Sequence, residues 1–285
     1  MFKTVQNRVW AFDMEWVPDP LAGRILYPKE AADAENDAAV MRVMWDQGGA
    51  TDEDPTPFLK TALCRIVSVA AVERRISHGG EINLTLMSLP HDPTDPEKAS
   101  EQAVVGDFLD ALGDHQPQLV GYNSHSSDLK IMVQRAIILG LEAEGFCRRP
   151  NKPWEGIDYF ARGSEANIDL KDIVGGWGLA TPSLHQMAVQ CGIPGKMDVD
   201  GNQVAELWLE GRLDEIVHYN EYDALTTYLL WLRTAHLGGF FNDEVYRLEQ
   251  QRVEELITQE VEKGREHLEA FRVEWDRLRE VIGGR

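Results

Sequence analysis

Residues 8–16 read Arg8-Val9-Trp10-Ala11-Phe12-Asp13-Met14-Glu15-Trp16, and the rest of the chain is read against them. The β-branched and aromatic residues make this a strand. Side chains two apart on a strand share a face, so Asp13 and Glu15 project together while Met14 points the other way. Carboxylates at the end of an apolar strand are costly to enclose unless something compensates their charge. Taken alone, D-x-E also fits a solvated strand face, so its meaning depends on what the chain places beside it.

Pro18 and Pro20 end this strand. Residues 18–60 read as an insertion, with a short helix in the alanine-rich stretch 31–40 and a loop over 46–57. The β-branched stretch 63–74 is a second strand, and the alternating stretch 81–89 is a third, joined through His78-Gly79-Gly80. A helix follows over 97–112, with Val104, Val105, Phe108, Leu109 and Leu112 on its apolar side. Residues 118–123 form a strand and 127–139 a helix closed by Gly140. The loop-rich region 150–200 holds a strand-like Ile168-Asp169-Leu170 and a helix over 183–191, before helices at 204–209 and 214–234. Antiparallel strands followed by strand–helix units predict an α/β fold, a mixed β-sheet flanked by α-helices.

The C-terminal stretch carries Ile257, Val261, Gly264, Leu268, Phe271, Trp275, Leu278 and Ile282 in alternating steps of four and three. That stripe predicts a long C-terminal helix, serving either to pack on the domain or as a seam for a homodimer or other partner. The expected organisation is a domain over 1–237 and a helical extension over 238–285.

With 43% hydrophobic and 27% charged residues the chain is globular. No apolar run approaches the roughly 20 residues of a membrane span, and residues 1–8 lack a signal-peptide core. Cys64, Cys147 and Cys191 are isolated, which points to a reducing, cytoplasmic setting and away from disulfide or zinc frameworks. The formal net charge of -20 is unusual for a nucleic-acid protein, whose phosphate contacts leave a basic footprint.

Two further stretches carry acids where a plain core avoids them. Asn123-Ser124-His125-Ser126-Ser127-Asp128-Leu129 lies at a strand–helix junction, where Asp128 is either a helix cap or a site residue. His218-Tyr219-Asn220-Glu221-Tyr222-Asp223 lies inside a helix, where Tyr219 and Asp223, four apart, share a face.

In this order, D-x-E on a strand, N-x4-D at a junction and Y-x3-D in a late helix resemble the DEDD 3'-5' exonucleases of ribonuclease H-like fold. The resemblance spans most of residues 8–235. It is nearest to the predicted exonucleases related to the proofreading domain of family B DNA polymerases, to which stretches 168–178, 183–204 and 219–233 are similar. It implies hydrolysis of phosphodiester bonds at nucleic-acid 3' ends with two divalent ions, Mg2+ or Mn2+, about 4 Å apart. Such hard cations take oxygen ligands, which suits carboxylates. The resemblance makes Asp13, Glu15, Asp128 and Asp223 the ligands, with Asp13 bridging, and Tyr219 the residue that orients the attacking water. His218, five residues before Asp223, also fits the H-x4-D spacing of the superfamily's histidine branch.

Met14, Trp16, Asn123 and Lys196 are the candidate substrate contacts, and each also has a structural reading: core for Met14 and Trp16, a turn for Asn123, a loop for Lys196. The family usually has Phe or Tyr before the second-motif Asp, whereas this chain has Ser127. The acidic balance argues for short or single-stranded 3' ends or for recruitment by a partner; the resemblance implies DNA as the first expectation, with RNA as the alternative. The non-enzymatic alternative is a binding scaffold. No polymerase portion follows the third motif, so a proofreading role calls for a separate partner.

Overall fold

β1 (Arg8–Pro18) is the middle strand of a five-stranded sheet whose order is β3-β2-β1-β4-β5. It pairs antiparallel with β2 (Cys64–Ile76), which pairs antiparallel with β3 (Ile82–Leu89). On its other side it runs parallel to β4 (Gln118–Gly121), and β4 runs parallel to β5 (Asn167–Asp169). This mixed sheet with helices on both faces is the ribonuclease H-like arrangement. The computed structural model describes residues 1–152, 154–161, 164–175, 180–197 and 201–283. Parts of two stretches that carry the resemblance, 176–178 and 198–200, lie outside them.

The alternation of β1 divides the interior. Trp10, Phe12 and Met14 face one core with α3 (Glu101–His115) and α4 (Asp128–Leu139). Val9 and Ala11 face another, built largely on α9 (Leu213–Leu237). Asp13 and Glu15 continue the second face, so they emerge where α9 crosses β1 and β2. Opposite them on β2 stand Ala70 and Ser68, whose small side chains leave space at that end. The pairing then steps from Glu15–Ser68 to Trp16–Ile66, leaving Val67 as the extra residue of a bulge. Bulges bend a strand and re-aim its side chains, and they recur beside active sites.

The insertion differs from the sequence expectation. Asp19 caps α1 (Pro20–Leu26), so Pro20 opens a helix as well as ending a strand. Residues 31–36 of the alanine-rich stretch are turn and loop, and the helix begins only after Asn36, whose side chain caps α2 (Asp37–Gln47). The segment is tied down by a buried cluster in which Arg135 Nη2 meets Asp19 Oδ2 at 2.9 Å and Glu101 Oε2 at 2.6 Å. Glu101 Oε1 also accepts from the main chain of Ile66 at 2.8 Å.

The C-terminal stretch is two helices where one long helix was expected. α10 (Asp243–Glu262) ends in a turn where Gly264 has φ +106, and α11 (Leu268–Val281) follows. A left-handed glycine reverses the chain with no side-chain clash, which is why the stripe's weakest helix former sits there. Ile257, Leu268, Phe271 and Trp275 are buried in the same core as Val9 and Ala11. The stripe is therefore consumed by the protein's own interior, and Arg74 on β2 and Glu249 on α10 form a buried ion pair across that contact at 2.8 Å. Among the described residues no helix is long and apolar enough to cross a membrane.

Candidate active site

The last turn of β1's interior face delivers Asp13 and Glu15 to a point where α9 delivers Asp223. One carboxylate oxygen from each lies within 4.8 Å of the others. Enclosure by protein holds the Asp13 carboxyl well above the usual range, and the charges of Asp128, Asp223 and Glu15 raise it further. Glu15 is raised too, by enclosure first and then by Asp223 and Asp128. The two carboxyls are also within side-chain hydrogen-bond reach of each other.

Asp128 is the first residue of α4 and is 4% exposed. Burial lifts its carboxyl to about 7, and its own main chain, at the helix start, and that of Met14 partly oppose the rise. It stands outside the tight triplet while its charge acts on both Asp13 and Glu15.

Tyr219 lies one turn before Asp223 on α9. Its ring packs with Val17, Val67 and Ile216, and its hydroxyl is hydrogen-bonded to Asp223. Enclosure, then the charges of Asp223, Glu15 and Asp13, keep the phenol protonated far above its ordinary value. His218 faces elsewhere. Its ring stacks on His267 at the start of α11, centroids 3.8 Å apart.

The candidate substrate contacts divide. Met14 is 2% exposed and packs in the core on the face of β1 opposite to Asp13 and Glu15, which is the core reading of this residue. Asn123 adopts a left-handed backbone, φ 72, and both ends of its amide are engaged. Its Nδ2 donates to Ser127 Oγ at 2.6 Å, and Lys171 Nζ donates to its Oδ1 at 3.0 Å. Ser127, where an aromatic was expected, is thus a brace for the loop. Trp16 and Lys196 do reach the site. Both line a cleft of about 290 Å³ that begins at Glu15, and the Lys196 charge draws the Glu15 carboxyl downward against the dominant upward shift.

Sequence reasoning missed two parts of this region. Asp169, at the end of β5, accepts main-chain hydrogen bonds from Asn123 at 2.8 Å, His125 at 3.0 Å and Lys171 at 2.9 Å, and so fixes the loop leading to Asp128. It also lies with His125 and Asp172 in a second acidic group, but these main-chain donors already account for its carboxylate. Phe58, from the insertion, lines the cleft; an aromatic in the polar run 52–60 was the available signal.

Do these residues suit divalent cations? Three carboxylates at one point, with a fourth adding charge, form a hard-oxygen donor set. Bringing them together raises their affinity for protons, and the same electrostatics raises their affinity for cations. The donor set fits Mg2+ or Mn2+ and lacks the sulfur and imidazole ligands of a zinc site.

A family model described as predicted 3'-5' exonuclease related to the exonuclease domain of PolB matches residues 56–275. Asp128, Tyr219 and Asp223 fall inside that range; Asp13 and Glu15 precede it. Among solved structures, the family B DNA polymerase from the hyperthermophilic archaeon Pyrobaculum calidifontis is similar, with 19% identity and a TM-score of 0.47. The similarity covers 81% of this chain and 25% of the polymerase, so this chain spans about a quarter of its length. No curated protein sequence matches the chain.

Proposed function

The chain belongs to the predicted 3'-5' exonucleases related to the exonuclease domain of PolB, and from that premise we propose that it hydrolyses the terminal phosphodiester of single-stranded DNA 3' ends with two divalent cations. The observation that carries this reading is the convergence of Asp13, Glu15 and Asp223 within 4.8 Å of one another, on a strand and a helix far apart in sequence.

Asp13, Glu15 and Asp223 would hold the cations, with Asp128 completing the charge. Bound there, Mg2+ or Mn2+ supplies a water acidic enough to attack at neutral pH and charge relief on the departing 3' oxygen. Strand β1 holds Asp13 and Glu15 through its pairing with β2, opposite Ala70 and Ser68, which limits their drift. Tyr219 keeps its proton at any working pH, so its role is to donate a hydrogen bond and orient the water or a phosphate oxygen. Attack on phosphorus breaks the bond to the 3' oxygen of the preceding nucleotide and releases a nucleoside 5'-monophosphate.

The formal charge of -20 disfavours long polyanions held along their backbone. Short or unpaired ends, engaged locally at the carboxylates, suit such a surface better. The test is incubation of 5'-labelled single-stranded DNA and RNA with Mn2+. The expected result is a ladder shortened from the 3' end, DNA ahead of RNA, absent in Asp13→Asn. Internal cleavage, or no metal-dependent hydrolysis of either, would contradict the reading.

A further inference from the structure

Three fully buried side chains near the carboxylates carry polar atoms with no hydrogen-bond partner among the described residues. They are the Ser68 hydroxyl, both ends of the Asn220 amide and the Thr227 hydroxyl. Buried hydroxyls and amides are nearly always paired, and an unpaired one costs stability that an Ala, Leu or Val in the same space would not. Their places are not scattered. Ser68 is the partner of Glu15 across the β1–β2 ladder, where facing side chains share one side of the sheet. Asn220 and Thr227 stand three residues before and four residues after Asp223 on α9, the positions that neighbour it on the helix surface. Each of the three therefore flanks a carboxylate of the triplet.

We infer that Ser68, Asn220 and Thr227 are positioning residues of the cation site, which hold the carboxylates of Glu15 and Asp223 from the protein side. This role presupposes the two-cation reading above and adds to it what orients the ligands. An ionised carboxylate has about four acceptor sites, and a cation occupies only those that face it. The remaining sites need donors, and an amide and two hydroxyls are donors without charge. Neutrality matters here. A Lys or Arg at these buried places would weaken the attraction for cations, and a further carboxylate would add repulsion. Hydrogen bonds behind a metal ligand fix its orientation, and losing one typically costs about ten- to a hundredfold in metal affinity.

The other threonines of α9 show what a structural role looks like. Thr226 donates to the main-chain carbonyl of Pro194 at 2.9 Å, and Thr234 donates to that of Leu230, one turn back, at 2.9 Å. Thr227 is as buried as either and forgoes the bond to the preceding turn that Thr234 makes. Its hydroxyl is thereby left available beside Asp223. The packing of Tyr219 with Val67 ties the two elements at this level, since Asn220 adjoins Tyr219 on α9 and Ser68 adjoins Val67 on β2.

The test measures binding of the metal itself, so that it is independent of turnover. Free Mn2+ is followed by electron paramagnetic resonance during titration of the full chain as wild type, Asn220→Leu, Ser68→Ala, Thr227→Val and Thr227→Ser. Urea unfolding of each in EDTA gives its stability. Each apolar substitution is expected to weaken Mn2+ binding about tenfold or more. Stability should stay level or rise, because an unpaired buried polar group has been removed. Thr227→Ser keeps the hydroxyl and should bind Mn2+ like wild type. Wild-type affinity in Asn220→Leu and Thr227→Val, or a loss that Thr227→Ser shares with Thr227→Val, would overturn the proposal. A wild type that binds no Mn2+ overturns the two-cation reading together with this one. Tight binding that none of the substitutions alters overturns this one alone.

Discussion

The imidazole of His218 lies flat on that of His267, ring centroids 3.8 Å apart and 15° from parallel. Burial and then the His267 charge lower its pKa, so it is a neutral stacking partner. His267 in turn meets Glu221 through Nε2 at 2.6 Å, and Ser88 donates to the other Glu221 oxygen at 2.7 Å. This network joins α9, β3 and the start of α11, on a different side of α9 from Tyr219. The choice between the tyrosine and histidine patterns in residues 218–223 therefore becomes a matter of which side chain reaches the carboxylates.

The consequence for turnover is direct. Tyr219→Phe removes a hydroxyl bonded to Asp223 and should lower kcat by about 10² or more, the usual scale for a lost proton-handling group. His218→Ala should leave kcat within about twofold and lower the melting temperature. Steady-state kinetics with saturating Mn2+ separates the two, and the reverse pattern would move the water-orienting role to His218.

Metal removal should make stability depend on pH in an unusual direction. Folding raises the carboxyl of Asp128 to about 7, and those of Asp13 and Glu15 rise as well. The folded state then holds protons that the unfolded chain, with carboxyls near 4, has released. Stability from these groups is full below about pH 4 and is lost as pH climbs towards 7. In EDTA the wild-type protein should lose stability between pH 5 and 7.5, and Asp128→Asn should flatten that loss. Mn2+ should raise the melting temperature more at pH 7.5 than at pH 5. Thermal melts at the two pH values, with EDTA and with Mn2+, check all three; a metal-free protein more stable at pH 7.5 through these groups contradicts the electrostatics.

Arg135→Ala should cost about 3–5 kcal/mol, because it strands the buried carboxylates of Asp19 and Glu101. Urea unfolding gives the value. The ion pairs anchor the start of the insertion, so surviving variant protein should also show a weakened cleft at Trp45 and Phe58.

Trp275→Ala should cost roughly 3–5 kcal/mol, since Trp275 is 1% exposed and shares the core of β1. If the stripe were a self-association seam instead, the variant would change oligomeric mass with little loss of stability. Sedimentation together with urea unfolding distinguishes these.

Much of the architecture was legible because β1 alternates so regularly. Trp10, Phe12 and Met14 on one side and Val9, Ala11, Asp13 and Glu15 on the other are a period-two pattern that survives in the folded sheet. Tyr219 and Asp223 were legible for a similar reason, a helical spacing of four. The break at Gly264 was not, because a stripe in steps of three and four continues through the turn as well as through a helix. Asp169 was hidden because its role lies in main-chain donors that no spacing reveals. Phe58 was hidden because the insertion packs against Trp16 through contacts distant in sequence.

The central claim is that Asp13, Glu15, Asp128 and Asp223 form one site for a pair of divalent cations. The most direct measurement is anomalous diffraction from crystals soaked in Mn2+. The account predicts two manganese peaks, both bounded by these four carboxylates. Crystals at millimolar Mn2+ with no peak among them, or with manganese only at His125, Asp169 and Asp172, would contradict it.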